Sequence, residues 1–194
     1  MNLPFRLILG SKSPRRQELL RSLGFDFEIQ VKPVDETFPK QYPVEKLAEF
    51  LAIKKATAFV DISPNELVIT SDTVVISNGT ALAKPVNFEE AKTMLQLLSG
   101  SKHEVITGIC LKSSNHQKSF SETTKVSFDK LTNEEIEFYI NNYQPFDKAG
   151  AYGIQEWIGM IGIKGIEGDF YNVMGLPLHS LYKHLKEFQK KSTV

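Results

Sequence analysis

At 194 residues the chain has room for one compact domain, and 41% hydrophobic against 24% charged residues excludes a disordered segment. Its 23 Lys and Arg offset 23 Asp and Glu, which excludes a dedicated nucleic-acid coat but not a small anion held by a local cluster. The single cysteine, Cys110, excludes an internal disulfide framework and a multi-cysteine zinc site, and His103, His116, His179 and His184 show no metal-binding spacing.

Phe5 to Leu9 reads as a short buried strand that Gly10-Ser11-Lys12-Ser13 breaks. Ser13 is placed to cap a helix whose first residue is Pro14 and which runs to about Leu23, with Gly24 ending it. Phe25, Phe27, Ile29 and Val31 alternate with polar residues as a half-exposed strand does. Pro33 to Pro43 reads as loop, and the apolar spacing from Val44 to Phe59 predicts a helix over 44–59. Leu67 to Ile76 is a β-rich run, and Asn78-Gly79 turns it back into Ala81-Leu82-Ala83. Asn87 with Glu90 resembles a capping box for a helix through Leu98, closed by Ser99-Gly100. Val105 to Leu111 and Lys118 to Phe128 read as two joined strands, and Thr132 with Glu135 opens a helix through Tyr143. The glycine-rich region from Gly150 to Gly175 reads as short strands and tight turns, followed by a closing helix from Leu178 to about Gln189 and a frayed basic tail.

These elements predict an α/β protein: a mixed twisted sheet with flanking helices, in one domain over 1–194 with two lobes around a cleft. No stretch reaches the length of a membrane span. Leu7-Ile8-Leu9 is too short for a signal-peptide core before Lys12, Arg15 and Arg16, so a cytoplasmic protein is expected.

Chemistry concentrates at a few places. The Gly10-to-Arg16 turn feeds a strand into a helix N-terminus, where free N–H groups and the helix dipole favour an anion. Two hydroxyls and three cations in those residues favour a polyphosphate cradle over a merely capped surface helix, although no Walker A pattern is present. Asp72 lies inside an apolar β run, where a carboxylate is out of place unless retained for chemistry or metal. Lys84 follows the hairpin, which is expected to return it near the Asp72 strand; alone it reads as a surface lysine. Asp35-Glu36, with Asp72, could offer oxygen ligands to Mg²⁺, although paired acids in a proline-rich loop are commonly just solvated. Either Lys54 or Lys55 is expected to snorkel toward the cleft. Gln155 carries both donor and acceptor for a base edge, or simply faces solvent. Cys110 reads as inert core and His103 as structural.

Taken together, six collinear motifs resemble the Maf family of house-cleaning nucleotide pyrophosphatases. They are Leu9 to Phe27, Lys55-Ala56, Ser71-Asp72-Thr73-Val74-Val75, Lys84-Pro85, the Leu97-to-Thr107 pattern through His103, and Asp147 to Gln155, with Asn172-Val173-x-Gly175-Leu176-Pro177 beyond them. The resemblance implies hydrolysis of a nucleoside triphosphate between its α- and β-phosphates, giving the monophosphate and pyrophosphate. Arg15, Thr73 and Gln155 match the subgroup that acts on dTTP and UTP rather than the one similar to 7-methyl-GTP pyrophosphatase. By the same resemblance Asp72, Lys84, Lys55 and Arg16 are catalytic, with Asp72 the general base. Ser11, Arg15, Thr73 and Gln155 bind substrate or set specificity, and Glu36 with Asp72 holds a divalent cation, Mg²⁺ or Mn²⁺. The expected partner is a nucleoside triphosphate, with neither nucleic acid nor membrane, and a homodimer is common in the family. The competing class is a nucleotide-sensing regulator of cell division without turnover. Glu156-Trp157 departs from the family, where Gly commonly follows the Gln; the added carboxylate is expected either to perturb base selection or to face solvent. Gly10 replaces the usual Ala.

Overall fold

The first strand, β1, covers Arg6–Leu9, and its three apolar residues are buried. The computed structural model describes residues 4–39 and 41–191. Helix α1 spans Pro14–Ser22 with Pro at its first position, and Gly24 at φ 75° turns the chain out of it. Strand β2 is only Phe27–Ile29, shorter than the alternation to Val31 predicts. The reason lies in its neighbour: β1 supplies just three partners, Leu7↔Phe27, Ile8↔Glu28 and Leu9↔Ile29, so Val31 has nothing to pair with there and is exposed. The helix expected over 44–59 begins as a 3-10 turn at Val44–Lys46 and continues as α2, Leu47–Thr57.

Strand β3, Glu66–Ser77, turns through Asn78 and Gly79, both at positive φ, into β4, Thr80–Leu82. Helix α3, Phe88–Leu98, starts where the Asn87 side chain accepts the Glu90 N–H at 2.9 Å. Glu90 answers one residue early, on the Val86 N–H at 3.0 Å. Strands β5, Lys102–Lys112, and β6, Gln117–Phe128, follow. Helix α4, Asn133–Tyr143, carries the full reciprocal capping box of Thr132 and Glu135.

The glycine-rich region differs from expectation. It holds helix α5, Trp157–Gly162, strand β7, Ile163–Glu167, and helix α6, Phe170–Met174, before the closing α7, Leu178–Lys191. Glycine serves two uses here: Gly150, Gly168 and Gly175 take positive φ, whereas a Cβ at Gly159 would stand 1.8 Å from the Ile154 carbonyl oxygen. Of the basic tail, Lys190 and Lys191 continue α7, and residues 192–194 lie outside the described residues.

The strands form one seven-stranded mixed sheet in the order β2-β1-β3-β5-β6-β7, with β4 on β3. β1 runs parallel to β2 and β3, while β3–β4 and β6–β7 are antiparallel, as the mixed-sheet reading expects. The chain divides into two compact units, each discontinuous in sequence: Met1–Asp72 with Thr107–Glu122 and Gly175–Val194, and Thr73–Ile106 with Thr123–Met174. In the first unit small clusters seat α2 and β1: Ala52 and Ala56 pack on Cys110, and Ile8 and Val68 on Phe59. Burial pushes the Cys110 thiol up to about 12, so it stays a protonated core residue. The second unit has a core built around Leu95, Leu98, Phe128, Tyr139, Ile140 and Ile158. No helix among the described residues is long and apolar enough to cross a membrane.

Candidate active site

Three elements of the first unit bring the acidic and basic side chains together. The β1–α1 turn starts at Gly10, whose N–H donates to the Ile69 carbonyl at 2.8 Å. A Cβ there would lie 2.7 Å from Thr70 Cγ2 and against the Phe59 ring, so the space a larger residue needs is filled by Thr70 and Phe59. Ser13 occupies the N-cap position without a side-chain cap, contrary to expectation. Instead the buried Ser11 Oγ accepts the Ser13 N–H at 3.2 Å, which folds the loop back on itself. Arg15 and Lys12 follow, Lys12 exposed.

Arg16 is engaged with the backbone. Its Nε donates to the Gly175 carbonyl and its Nη1 to the Ser71 carbonyl, both at 2.8 Å. Burial lowers its pKa, the Asp72 charge opposes that, and the like charge of Arg15 adds to it. Asp72 is the next residue along β3 after Ser71. The β1 ladder ends at Leu9↔Ile69, three residues short of it, and the Arg16 guanidinium takes the carbonyl just before it. A carboxylate is tolerated in this strand because the cations around it replace the water it loses.

Helix α2 supplies the closest cation. Its buried face of Leu47, Ala48, Leu51, Ala52 and Ala56 leaves Lys55 at the boundary. Lys55 Nζ reaches Asp72 Oδ1 at 2.5 Å and Glu36 Oε1 at 3.3 Å. Lys54 turns to the loop itself, donating to the Thr37 carbonyl at 2.7 Å with Asp35 at 3.7 Å. Asp35 in turn accepts from the Thr37 N–H and hydroxyl, which with the nearby Lys54 holds its carboxyl below the ordinary range. The acidic loop is therefore ordered by α2: Asp35 fixes the turn, and Glu36 faces Lys55.

What seats α2 is a residue that sequence reasoning passed over. A Cβ at Gly108, in mid-β5, would fall 2.3 Å from the Ala48 carbonyl carbon, so the helix backbone lies directly on the strand there. An isolated glycine inside a β run is the signal that marks such an approach. Thr70 Oγ1, donating to the Ala52 carbonyl at 2.7 Å, ties the same helix to β3.

The second unit holds the remaining candidates. Thr73 continues β3 directly after Asp72, half-buried. Lys84 is exposed and lies two residues beyond the β3–β4 ladder, whose last pair is Val75↔Leu82. Gln155 sits in the turn Gly153–Glu156, with its Oε1 buried and accepting no hydrogen bond among the described residues. Glu156 neither faces solvent nor stands free. Its Oε1 lies 3.1 Å from Lys148 Nζ, and Oε2 accepts the Tyr139 hydroxyl. Lys148 and Tyr139 are both buried and were given no role from sequence. His103 is buried against Tyr152, with Nε2 2.8 Å from the hydroxyl, and burial lowers its pKa to about 4; it is a structural histidine, as expected.

The family model described as Maf-like protein matches residues 6–188. The chain belongs to the Maf family. Three relatives, each named a dTTP/UTP pyrophosphatase, align over nearly full length. The Christiangramia forsetii protein is 50% identical over 182 residues, 93% of each chain. Those of Phocaeicola vulgatus and Bacteroides thetaiotaomicron are 48% and 49% identical over 185 residues, covering 94% of this chain and 96% of theirs. A solved HAM1 protein from Coxiella burnetii aligns over 94% of this chain and 99% of its own at 16% identity with a TM-score of 0.47.

The acidic pair of this Maf protein fits a hard divalent cation. Asp72 and Glu36 converge on one point, which the Lys55 ammonium approaches in the structure. Mg²⁺ ordinarily takes one or two carboxylates and completes its shell with phosphate oxygens and water, and the Glu36 side chain is 56% exposed. Among the described residues no group of three or more His, Cys, Asp or Glu could hold a metal ion.

Proposed function

We propose that the chain hydrolyses dTTP and UTP to the monophosphate and pyrophosphate, in the cytoplasm, as a nucleotide-pool house-cleaning enzyme. The observation that carries this is Lys55 held between Asp72 and Glu36 beside the Ser11–Arg16 turn, in a chain about half identical to proteins named for that reaction. Phosphoryl chemistry is mostly positioning and charge stabilisation, and these groups supply both.

In this reading Asp72 takes the proton of the attacking water as it approaches the α-phosphorus. Lys55 donates to Asp72 Oδ1, which fixes the carboxylate and places a positive charge beside it. Ser11, Arg15 and the N–H groups opening α1 hold the phosphates, while Arg16 braces Ser71 and so the Asp72 backbone. Lys84 adds charge to the leaving pyrophosphate. A divalent cation held by Asp72 and Glu36, when bound, supplies further charge neutralisation on the phosphate oxygens.

Thr73 and Gln155 read the base. Among the described residues no donor reaches the buried Gln155 carbonyl, and thymine and uracil both carry an N3–H that cytosine does not. The test is pyrophosphate release from dTTP with Mg²⁺: Asp72→Asn is expected to lower kcat about 10²-fold or more with the fold intact. Binding of dTTP without release would instead support a nucleotide sensor.

A further inference from the structure

The turn that carries Gln155 is anchored at both ends by one hydroxyl. Tyr139, on α4, accepts the Gly153 N–H at 3.0 Å and donates to the Glu156 carboxylate. Burial and the Glu156 charge push the Tyr139 pKa up, so the phenol stays protonated and keeps donating. Within the turn the Glu156 N–H donates to the Gly153 carbonyl at 3.0 Å. The Glu156 carboxyl lies over the Gly153 backbone so closely that a Cβ at Gly153 would stand 2.7 Å from Glu156 Cδ. Lys148, 7% exposed, offsets that carboxylate from 3.1 Å and also meets Asp147 Oδ1 at 2.8 Å. Beyond the turn, the Glu156 carbonyl accepts from the Gly159 and Met160 N–H groups and so starts α5.

We infer that Tyr139, Glu156 and Lys148 are positioning residues that hold the Gly153–Glu156 turn rigid, so that Gln155 discriminates between pyrimidine bases. The inference rests on the base-reading role given to Gln155 above. A glutamine amide presents an acceptor and a donor, and rotating it by half a turn exchanges them. A loose turn lets the amide adapt to cytosine, whose N3 accepts and whose exocyclic amine donates. A fixed turn keeps the carbonyl where only an N3–H satisfies it, and an unpaired buried polar group is what makes the wrong base costly. The carboxylate after Gln155, where the family commonly has glycine, is thus turned inward as a brace.

The experiment measures kcat and KM for dTTP and dCTP, with Mg²⁺, for the native enzyme and for Gln155→Ala, Tyr139→Phe, Glu156→Ala and Glu156→Gln, alongside Tm. Tyr139→Phe and Glu156→Ala are expected to lower the dTTP-to-dCTP ratio of kcat/KM by about tenfold, mainly by raising KM for dTTP, with kcat little changed. Glu156→Gln, which keeps an acceptor for the Tyr139 hydroxyl, is expected to recover most of the ratio. If Tyr139→Phe and Glu156→Ala lower Tm but leave the ratio unchanged while Gln155→Ala collapses it, the network is only structural and the inference is overturned. If Gln155→Ala itself leaves the ratio unchanged, the base-reading role fails and the inference falls with it. Should Glu156→Ala not fold, Tyr139→Phe, which removes one oxygen atom, decides alone.

Discussion

Asp72 shows how far single residues can be read. An aspartate in an apolar β run stands out in sequence because burying a carboxylate without partners is costly, and the structure supplies those partners. Their identity was less legible. Lys54 and Lys55 are equivalent by composition, and only the rotation of α2 on its buried face decides that Lys55 meets Asp72 while Lys54 meets the Asp35 loop. Arg16 reads from sequence as a phosphate-binding cation, yet two of its donors go to carbonyls 55 and 159 positions away, contacts that no local pattern encodes. If Lys55 supplies charge in the transition state rather than only neutralising Asp72, Lys55→Met lowers kcat for dTTP by about 10²-fold. Steady-state kinetics check this, and an unchanged kcat assigns Lys55 to packing alone.

At the scale of elements, legibility followed locality. Helix α4 begins where expected because Thr132 and Glu135 cap it within four residues, and it ends at Tyr143, after which Gln144 turns left-handed at φ 48°. The glycine-rich region misled because glycine has two uses: a turn needs its positive φ, as at Gly150, whereas Gly159 and Gly108 give up a side chain so that backbone can approach. Only the neighbouring elements distinguish these uses. Gly108→Ala puts a methyl where the Ala48 backbone stands, and the helix must move or the strand must bend. Urea unfolding is expected to show a loss of about 2 kcal/mol or more. Because α2 carries Lys55, kcat falls as well; a variant of native stability and activity shows that the helix seat is soft.

For the whole molecule, the sheet class was legible from alternating strands and helices plus the Asn78-Gly79 hairpin. The two compact units were not delimited, since each is assembled from separated segments and β3, β5 and β6 each lend residues to both. Global stability carries a pH signature through His103. Burial holds its pKa at about 4 against an ordinary 6.5, so the unfolded chain takes up a proton that the folded protein refuses. Stability from this group is complete above pH 6.5 and is lost as pH falls toward 4, by on the order of 3 kcal/mol. Thermal unfolding from pH 7 to 4.5 is expected to show Tm falling, and His103→Gln to flatten that slope; an equal slope in the variant assigns the effect to other groups.

The claim that joins these scales is that charge gathered around Asp72 directs water to the α-phosphorus of a pyrimidine triphosphate. Its most direct measurement is product analysis of dTTP hydrolysis in ¹⁸O-labelled water, with native protein and Asp72→Asn side by side. The account predicts dTMP and pyrophosphate in equal amounts, the label in dTMP, and product formation reduced about 10²-fold or more by Asp72→Asn. Formation of dTDP and orthophosphate, label in the pyrophosphate, or equal turnover by both proteins would contradict it.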